Sequence, residues 1–258
     1  MEIATDDEAL ATPLLMVPRT DPAAYDVLVY FSHRVAADTA DQDAFTAAVE
    51  AFLTAGGGVV SFHHGAYGGS GKSVMQELLG ATASGSVPWD IVDGQNVINV
   101  MPGHFVTENG VEYTGTRSYA DPALGIAAAS YSFLNNTPDE RYPTFTVNPT
   151  AGIFTPLFAS DYDQGGTTHL LGFVHRQPGW AGRVVAYQPG EYQPNALDDL
   201  AGNNFQILAN AIYFAAFGAP AAKAPALSVP ATVALVLALV AVGVSAFRAQ
   251  RMPAIKRL

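Results

Sequence analysis

The chain has 258 residues, no cysteine and a formal net charge of −11 at pH 7, with 12 Lys and Arg against 23 Asp and Glu. Such a charge disfavours nucleic acid as a partner, because a protein that neutralises phosphates needs a basic face. The lack of cysteine excludes disulfides, thiolate nucleophiles and cysteine-based metal sites. Hydrophobic residues make up 49% of the chain, so we expect one globular domain over residues 1–218, followed by an appendage.

The first half of the domain predicts a strand, a helix and a second strand in succession. The hydrophobic run AYDVLVYFSH at residues 24–33 is typical of a strand, and apolar residues recur at helical spacing across residues 44–54. The second strand is expected at residues 59–62. Strand, helix and strand in this spacing indicate a βαβ unit, whose two strands run parallel in one sheet.

The segment GGGVVSFHHG at residues 56–65 is the most informative stretch of the sequence. Gly56 can end the preceding helix in the left-handed conformation that favours glycine. Two histidines, His63 and His64, come directly after the predicted strand. Because ligands bind at the carboxyl ends of strands in α/β sheets, this pattern indicates a functional site at the strand tip.

The rest of the domain predicts further strands and a closing helix. A short helix is expected at residues 73–80, and an amphipathic helix at residues 203–218 should close the domain with Gly218 as its stop signal. Short apolar runs separated by Gly, Asn, Thr and Pro lie between these helices. We expect strand segments at residues 97–101, 131–134, 145–147, 168–176 and 182–190.

The C-terminal segment predicts a membrane anchor. Residues 219–228 form a Pro- and Ala-rich linker, residues 229–247 are apolar without a charge, and residues 248–258 carry four basic side chains. At about 1.5 Å per residue the apolar run just crosses a bilayer. A buried C-terminal helix is the alternative, but such a helix usually shows a polar face. By the positive-inside tendency, we expect a single-pass membrane protein with its basic tail in the cytoplasm and its head extracytoplasmic.

This C-terminal arrangement resembles the protein-sorting signals of the PEP-CTERM type, although the Pro-Glu-Pro signature itself is absent. A head beyond the membrane needs an export signal. Residues 1–20 carry Asp6, Asp7 and Glu8 before a brief apolar run, whereas a signal peptide begins basic and has a longer apolar core. Either the head is cytoplasmic against the charge bias, or the sequence lacks its true N-terminus.

Four motifs follow one another along the chain: GGGVVSFHHG at residues 56–65, LLGA at 78–81, GHFVTENGV at 103–111, and GRVVAYQPGE at 182–191 followed by NNFQILANAIYFAAFG at 203–218. The sequence resembles the ThuA-like (trehalose utilisation) family of the class I glutamine amidotransferase-like fold. The resemblance implies a flavodoxin-like three-layer α/β/α sandwich. Similar proteins carry a histidine where true amidotransferases carry the nucleophilic cysteine, so glutaminase chemistry is not implied.

The sequence departs from the family pattern at its start and at two positions near the expected site. Family members usually open with a further strand and helix before the segment that matches residues 24–33, and that first strand would lie inside the sheet. Its lack would leave a central strand unpaired, so we expect an N-terminally truncated sequence, in agreement with the missing export signal. Glu191 stands where the family commonly has histidine, and Phe105 where it often has proline.

The candidate site consists of His63 at the strand tip, His104 in a loop and Glu191 in the turn after the last strand. We expect these residues to converge at the C-terminal edge of the sheet. Two imidazoles and a carboxylate could bind Zn²⁺ with an open coordination position, or serve as acid, base and hydrogen-bond donors to a sugar. The alternative is that both histidines only bond to backbone and orient loops, because no H-x-x-x-H spacing supports a metal site.

Two further patterns lie near this site. The segment AYGGSGKS at residues 66–73 matches a relaxed P-loop with Ala in place of the first Gly. No convincing Walker B strand follows and the predicted helix is short, so Lys72 is better explained as a solvated loop residue. Asp161 and Asp163 could form part of a rim around the site, but the sequence favours an Asx-rich turn.

These observations together predict a membrane-anchored domain of carbohydrate metabolism that hydrolyses or otherwise processes a glycoside or an oxidised sugar. The substrate class follows from the resemblance alone. The alternative is a non-catalytic surface domain that binds carbohydrate or a partner, and P-loop nucleotide binding is a distant third. Aromatic side chains in predicted loops could stack on sugar rings. They are Tyr67, Trp89, Tyr113, Tyr119, Trp180 and Tyr192.

Overall fold

The structure is a computed structural model that describes residues 8–31, 39–66, 73–83, 95–136, 145–147, 152–161, 170–189 and 202–219. No helix within these ranges is long and apolar enough to cross a membrane. Residues 220–258, which hold most of the predicted linker, the predicted membrane segment and the basic tail, lie outside the described ranges.

The predicted helices and strands are present, with ends shifted by a few residues. The largest shifts are of about five residues: the first predicted helix begins at Thr39 rather than near residue 44, and the strand predicted at residues 131–134 begins at Ile126. The elements are α1 (Glu8–Leu15), β1 (Val27–Tyr30), α2 (Thr39–Thr54), β2 (Gly58–Phe62), α3 (Ser73–Leu79), β3 (Ala81–Ala83), β4 (Gln95–Asn99), α4 (Phe105–Glu108), β5 (Gly115–Asp121), β6 (Ile126–Asn136), β7 (Phe145–Val147), β8 (Ile153–Ser160), β9 (Leu170–Arg176), β10 (Arg183–Tyr187) and α5 (Asn203–Phe217), with 3-10 turns at His63–Ala66 and Pro122–Leu124.

Eight strands form one mixed sheet in the order β1-β2-β10-β9-β8-β4-β6-β5. The strands β1, β2 and β10 run parallel, which confirms the predicted βαβ unit. The other neighbouring pairs are antiparallel, so the parallel arrangement typical of flavodoxin-like folds is limited here to three strands. Residues 177–182 alone join β9 to β10, too few for the crossover that parallel neighbours require.

Alternate side chains of β2 face two different helical layers. Val59 packs in a cluster with Val49 of α2, to which α1 and α3 also contribute. Val60 and Phe62 pack in a second cluster with Ile212 of α5. Because successive side chains of a strand point to opposite faces, the sheet lies between these two sets of helices. The three-layer α/β/α arrangement implied by the resemblance is therefore present.

The first strand lies at one edge of the sheet. It pairs directly with β2 over four residues, from Val27 opposite Gly58 to Tyr30 opposite Ser61. Family members usually have a further strand inside the sheet, and its lack was expected to leave a central strand of this chain unpaired. The direct pairing leaves no open place between β1 and β2, so within the described residues the sheet is continuous at this point.

Five helices and strands were not predicted from the sequence, namely α1, β3, α4, β5 and β8. Helix α1 contains Pro13, which is unfavourable inside a helix, and it is held in place by Leu15 in the core cluster of α2. Strand β8 contains Pro156, and its pairing with β9 shifts register directly after that residue. Strand β5 is mostly exposed at the sheet edge and so lacks a hydrophobic pattern.

Candidate functional site

His63 is held in an unusual backbone conformation at the tip of β2. It follows the strand directly and begins the 3-10 turn. Its φ is +43°, and among the described residues it alone, apart from glycines, has a positive φ. A side-chain-bearing residue in this region is strained, and such strain is found most often at functional sites because the surrounding structure must enforce it. The conformation therefore marks His63 as a candidate functional residue.

The turn after His63 folds back closely on the first two strands. A Cβ atom placed on Gly65 would lie 2.6 Å from Ser61 Oγ and 2.6 Å from the carbonyl oxygen of Tyr30. Glycine is thus required two residues after His63, and a small residue stands two residues before it. This S-x-H-x-G spacing matches that of the nucleophile elbow, in which a sharp turn from strand to helix presents one side chain.

The ring of His63 is bonded to the chain segment that follows β10. Nδ1 lies 2.7 Å from the carbonyl oxygen of Gln188. A carbonyl oxygen can only accept, so Nδ1 carries the hydrogen and donates it. In the neutral ring Nε2 then carries the lone pair and is the nitrogen that takes up a proton. The ring is buried, and it lies near Phe31 and Phe62 at centroid distances of 6.1 and 6.2 Å.

A polar group centred on Asp161 lies on the same edge of the sheet. Its carboxylate accepts hydrogen bonds from the backbone nitrogen and Nδ2 of Asn96 at 3.1 and 2.7 Å, and it pairs with Arg117 Nε at 2.8 Å. Two antiparallel steps separate β8 from β10, so Asp161 follows the end of β8 at the edge that carries His63. Three strand spacings, about 14 Å, separate the two residues along this edge.

Asp161 therefore links β4 to β5 across this edge of the sheet. The rest of the Asx-rich turn that the sequence suggested lies outside the described residues. Asp163 lies outside the described residues. Sequence reasoning did not find Asn96, Arg117 or Gln188. Gln188 lies within a quoted motif, but the other two belong to strands whose pairing no local pattern reveals.

His104 has a local structural role. It is the N-cap residue of α4, and its Nδ1 accepts a hydrogen bond from the backbone nitrogen of Val106 at 3.2 Å. Its ring meets the ring of Phe214 in α5 edge-on, at a centroid distance of 4.7 Å. Burial lowers the pKa of His104, so the ring is neutral at neutral pH. This agrees with the alternative in which the histidine orients a loop.

His63 and His104 lie at opposite ends of the sheet. Helix α5 begins beside the end of β10, where Tyr187 OH donates to Asn204 Oδ1 at 2.6 Å. Phe214, which contacts His104, comes ten residues later, about 15 Å along the helix axis. The expected convergence of the two histidines is thus not found. The reason is that β4 runs antiparallel to β8, which takes the loop after β4 to the edge where β2 begins.

The described residues do not form the predicted zinc site. A catalytic zinc site of this type needs three protein ligands, and among the described residues no three His, Asp or Glu side chains lie close enough to hold a metal ion. His104 is too far from His63 to share a metal with it. Glu191, the predicted third ligand, lies outside the described residues.

Three of the six aromatic residues that were expected to stack on sugars are described, and these three belong to the fold. Trp180 is buried and meets the ring of His175 edge-on, at 5.5 Å between centroids. The hydroxyl of Tyr113 donates to the carbonyl oxygen of Thr107. Tyr119 lies in strand β5 rather than in a loop. The remaining members of the set, Tyr67, Trp89 and Tyr192, lie outside the described residues.

The P-loop-like segment is largely outside the described residues, which exclude 67–72 and therefore Lys72. Ala66 ends the 3-10 turn and Ser73 begins α3. Helix α3 has only 7 residues. The described residues of this segment, Ala66 and Ser73, do not form a phosphate-binding loop.

Comparison with solved structures finds proteins described as ThuA-like. One, from Bacteroides uniformis ATCC 8492, matches with a TM-score of 0.53 and 15% identity, over 82% of this chain and 75% of that chain. Another, from Parabacteroides merdae ATCC 43184, matches with a TM-score of 0.53 and 14% identity, over 78% of this chain and 74% of that chain. The chain has a ThuA-like fold.

The resemblance inferred from the sequence motifs is thus confirmed at the level of the fold. At these identities the likeness establishes the ThuA-like fold and carries no activity with it. No family model matches the sequence, and no curated protein matches it.

Proposed function

We propose that this ThuA-like domain processes a carbohydrate, a glycoside or an oxidised sugar, at the sheet edge that carries His63. The observation that carries the proposal is the strained φ of +43° at His63, directly after a buried strand, with its ring oriented by the Gln188 carbonyl. The carbohydrate class comes from the resemblance of the sequence motifs to the trehalose-utilisation family. Asp161 and Arg117, farther along the same edge, are suitable hydrogen-bond partners for sugar hydroxyls.

His63 is suited to general acid–base work. Donation from Nδ1 to the carbonyl oxygen of Gln188 at 2.7 Å fixes the orientation of the ring and stabilises the positive charge that develops when Nε2 takes up a proton. Glu191 comes three residues after Gln188 in the sequence, and we expect it to lie at the same edge of the sheet. A carboxylate there would supply a second proton-transfer group.

The test is turnover by the full chain in mild detergent, on a panel of disaccharides, aryl glycosides and keto-sugars. His63→Asn is the decisive variant, because asparagine tolerates positive φ and its amide can donate to the Gln188 carbonyl but cannot transfer a proton. We expect His63→Asn to lower kcat by about 10²–10⁴ with a small change in KM. His104→Ala is the matched control, and it should keep kcat because His104 lies at the opposite end of the sheet.

Equal loss of kcat in both variants would contradict the placement of the site. Carbohydrate binding without turnover, unchanged in His63→Asn, would instead favour a non-catalytic carbohydrate-binding domain. The departure from the family pattern at Glu191 is the observation that favours this second function.

We also propose that residues 229–247 anchor the domain as a single membrane-spanning helix, with the head on the extracytoplasmic side. The support is the uncharged apolar run followed by four basic residues. Resistance of the full chain to extraction by alkaline carbonate, together with digestion of the head by protease added to spheroplasts, is the expected result. Protection of the head from that protease would place it in the cytoplasm.

A further inference from the structure

The end of the domain opposite His63 carries a patch of apolar and basic side chains, which we name the exit face and which is exposed except for the half-buried Arg183. It consists of Ile153, Arg176 and Arg183 on adjacent strands, and Phe217 at the end of α5. Ile153 is the direct cross-strand partner of Arg176. His175 pairs with Val184, which places the neighbouring Arg183 beside Arg176. Ile153 and Phe217 are 67% and 63% exposed, high values for large hydrophobic residues.

The exit face is basic in a chain of net charge −11. Burial lowers the pKa of Arg183, and the nearby charge of Arg176 lowers it further, which agrees with their adjacent positions on β9 and β10. Two of the described carboxylates at this end are bonded to other groups. Asp26 pairs with Arg19 at 3.0 Å, and Glu108 accepts from Asn99 Nδ2 at 2.7 Å. Two adjacent guanidinium groups therefore offer a positive site that suits an anion.

The chain leaves the domain at the exit face. Arg183 Nη1 donates to the carbonyl oxygen of Phe214 at 3.1 Å, and a Cβ placed on Gly218 would lie 2.6 Å from the same nitrogen. The predicted linker at residues 219–228 leads from this point to the apolar run at 229–247. At the spacing of about 3.1 Å per residue that Pro-rich linkers adopt, a linker of this length reaches about 30 Å at most. The exit face is thus the side of the domain closest to the predicted anchor.

We propose that the exit face lies against the bilayer surface, where Arg176 and Arg183 bind lipid phosphates and Phe217 and Ile153 enter the interface. The planar guanidinium matches phosphate geometry, and aromatic side chains favour the level of the headgroups. This inference rests on the membrane anchor of the proposed function. Binding of the exit face to the bilayer would orient the domain so that the sheet edge that carries His63 faces away from the membrane and towards the aqueous phase.

The absence of cysteine from the chain makes a site-specific test direct. Ile153→Cys places a label on the exit face away from the linker, and Asn135→Cys places one at an exposed position near the opposite edge. Each full-length variant is reconstituted into vesicles of phosphatidylcholine and phosphatidylglycerol, labelled with an environment-sensitive fluorophore and exposed to lipids with brominated acyl chains. We expect several-fold stronger quenching at position 153 than at position 135.

The contribution of charge is tested by a matched pair of arginine variants. Arg176→Gln removes one cation of the exit face, and Arg117→Gln removes an exposed arginine at the other end of the sheet. In the Ile153→Cys background we expect Arg176→Gln to reduce the quenching and Arg117→Gln to leave it unchanged. Vesicles of phosphatidylcholine alone should give weaker quenching than the anionic mixture.

Extraction with alkaline carbonate reports on the anchor separately. If the chain resists extraction but positions 153 and 135 are quenched equally, the exit-face proposal is overturned while the anchor stands. If carbonate releases the chain from the vesicles, the anchor prediction fails and the exit-face proposal fails with it.

Discussion

The strained conformation of His63 predicts that glycine is less destabilising than alanine at this position, the reverse of the usual order. Glycine normally destabilises a folded chain relative to alanine, because it loses more backbone entropy on folding, by about 0.5–1 kcal/mol. At His63 the order should reverse. Its φ of +43° lies in the left-handed region, which glycine adopts without steric cost and alanine does not.

The expected magnitude follows from two opposing terms. Alanine in the left-handed region carries a cost of about 1–2 kcal/mol, which exceeds the entropy cost of glycine. Both substitutions lose the bond from Nδ1 to Gln188 and the buried ring, so these losses cancel in the comparison. We therefore expect His63→Gly to be more stable than His63→Ala by about 0.5–1 kcal/mol.

The assay is equilibrium unfolding by urea of the full chain in mild detergent, followed by the fluorescence of the buried Trp180. Ser61 provides the matched control, because it lies two residues earlier in β2, is buried and has no positive φ. There Ser61→Gly should be less stable than Ser61→Ala by about 0.5–1 kcal/mol. Opposite signs at two buried positions that are two residues apart isolate the backbone conformation as the cause.

The reasoning would be refuted if His63→Gly were as unstable as His63→Ala, or less stable. That result would mean that the left-handed conformation is not enforced by the fold, and the elbow-like presentation of His63 would lose its support.

Three further predictions follow from other contacts. Gly65→Ala should lower the free energy of unfolding by about 1–3 kcal/mol, because the added methyl group meets the Tyr30 carbonyl oxygen at 2.6 Å; a neutral effect in the urea assay would contradict this close approach. Tyr187→Phe should cost about 1 kcal/mol through loss of the bond to Asn204, and an unchanged urea midpoint would argue against that bond. Burial lowers the pKa of His175 from 6.5 to about 4, so between these pH values the unfolded chain binds a proton that the folded chain excludes. The free energy of unfolding should therefore fall by up to about 1.4 kcal/mol for each unit by which the pH is lowered from 6.5 to 4. This fall, measured by urea unfolding across that pH range, should be less steep in His175→Phe, and an equal slope would show that another group is responsible.

Much of the fold could be predicted because its strongest signals are local. The buried strand at Gly58–Phe62 and the closing helix at Asn203–Phe217 carry continuous or periodic apolar patterns, and both are found close to their predicted ends. Strand β5 is exposed at the sheet edge and has no such pattern, and β8 is interrupted by Pro156. These elements are held by their neighbours in the sheet, which the local sequence does not specify.

The candidate site divides in the same way. His63 could be predicted because its position depends only on the strand that precedes it. His104 could not be placed correctly, because its location depends on the direction in which β4 joins the sheet. Asn96 and Arg117 meet Asp161 through pairings between strands that are distant in sequence.

The sequence by itself determined the acidic, cysteine-free character of the chain, the βαβ unit and the histidine at the tip of β2. These depend on composition and on residues close together along the chain. Only the tertiary structure decided that the sheet is mixed, that the two candidate histidines lie at opposite ends, and that Arg176 and Arg183 meet where the chain leaves the domain. Each of these depends on strand direction and register, which are set by packing between segments that are distant along the chain.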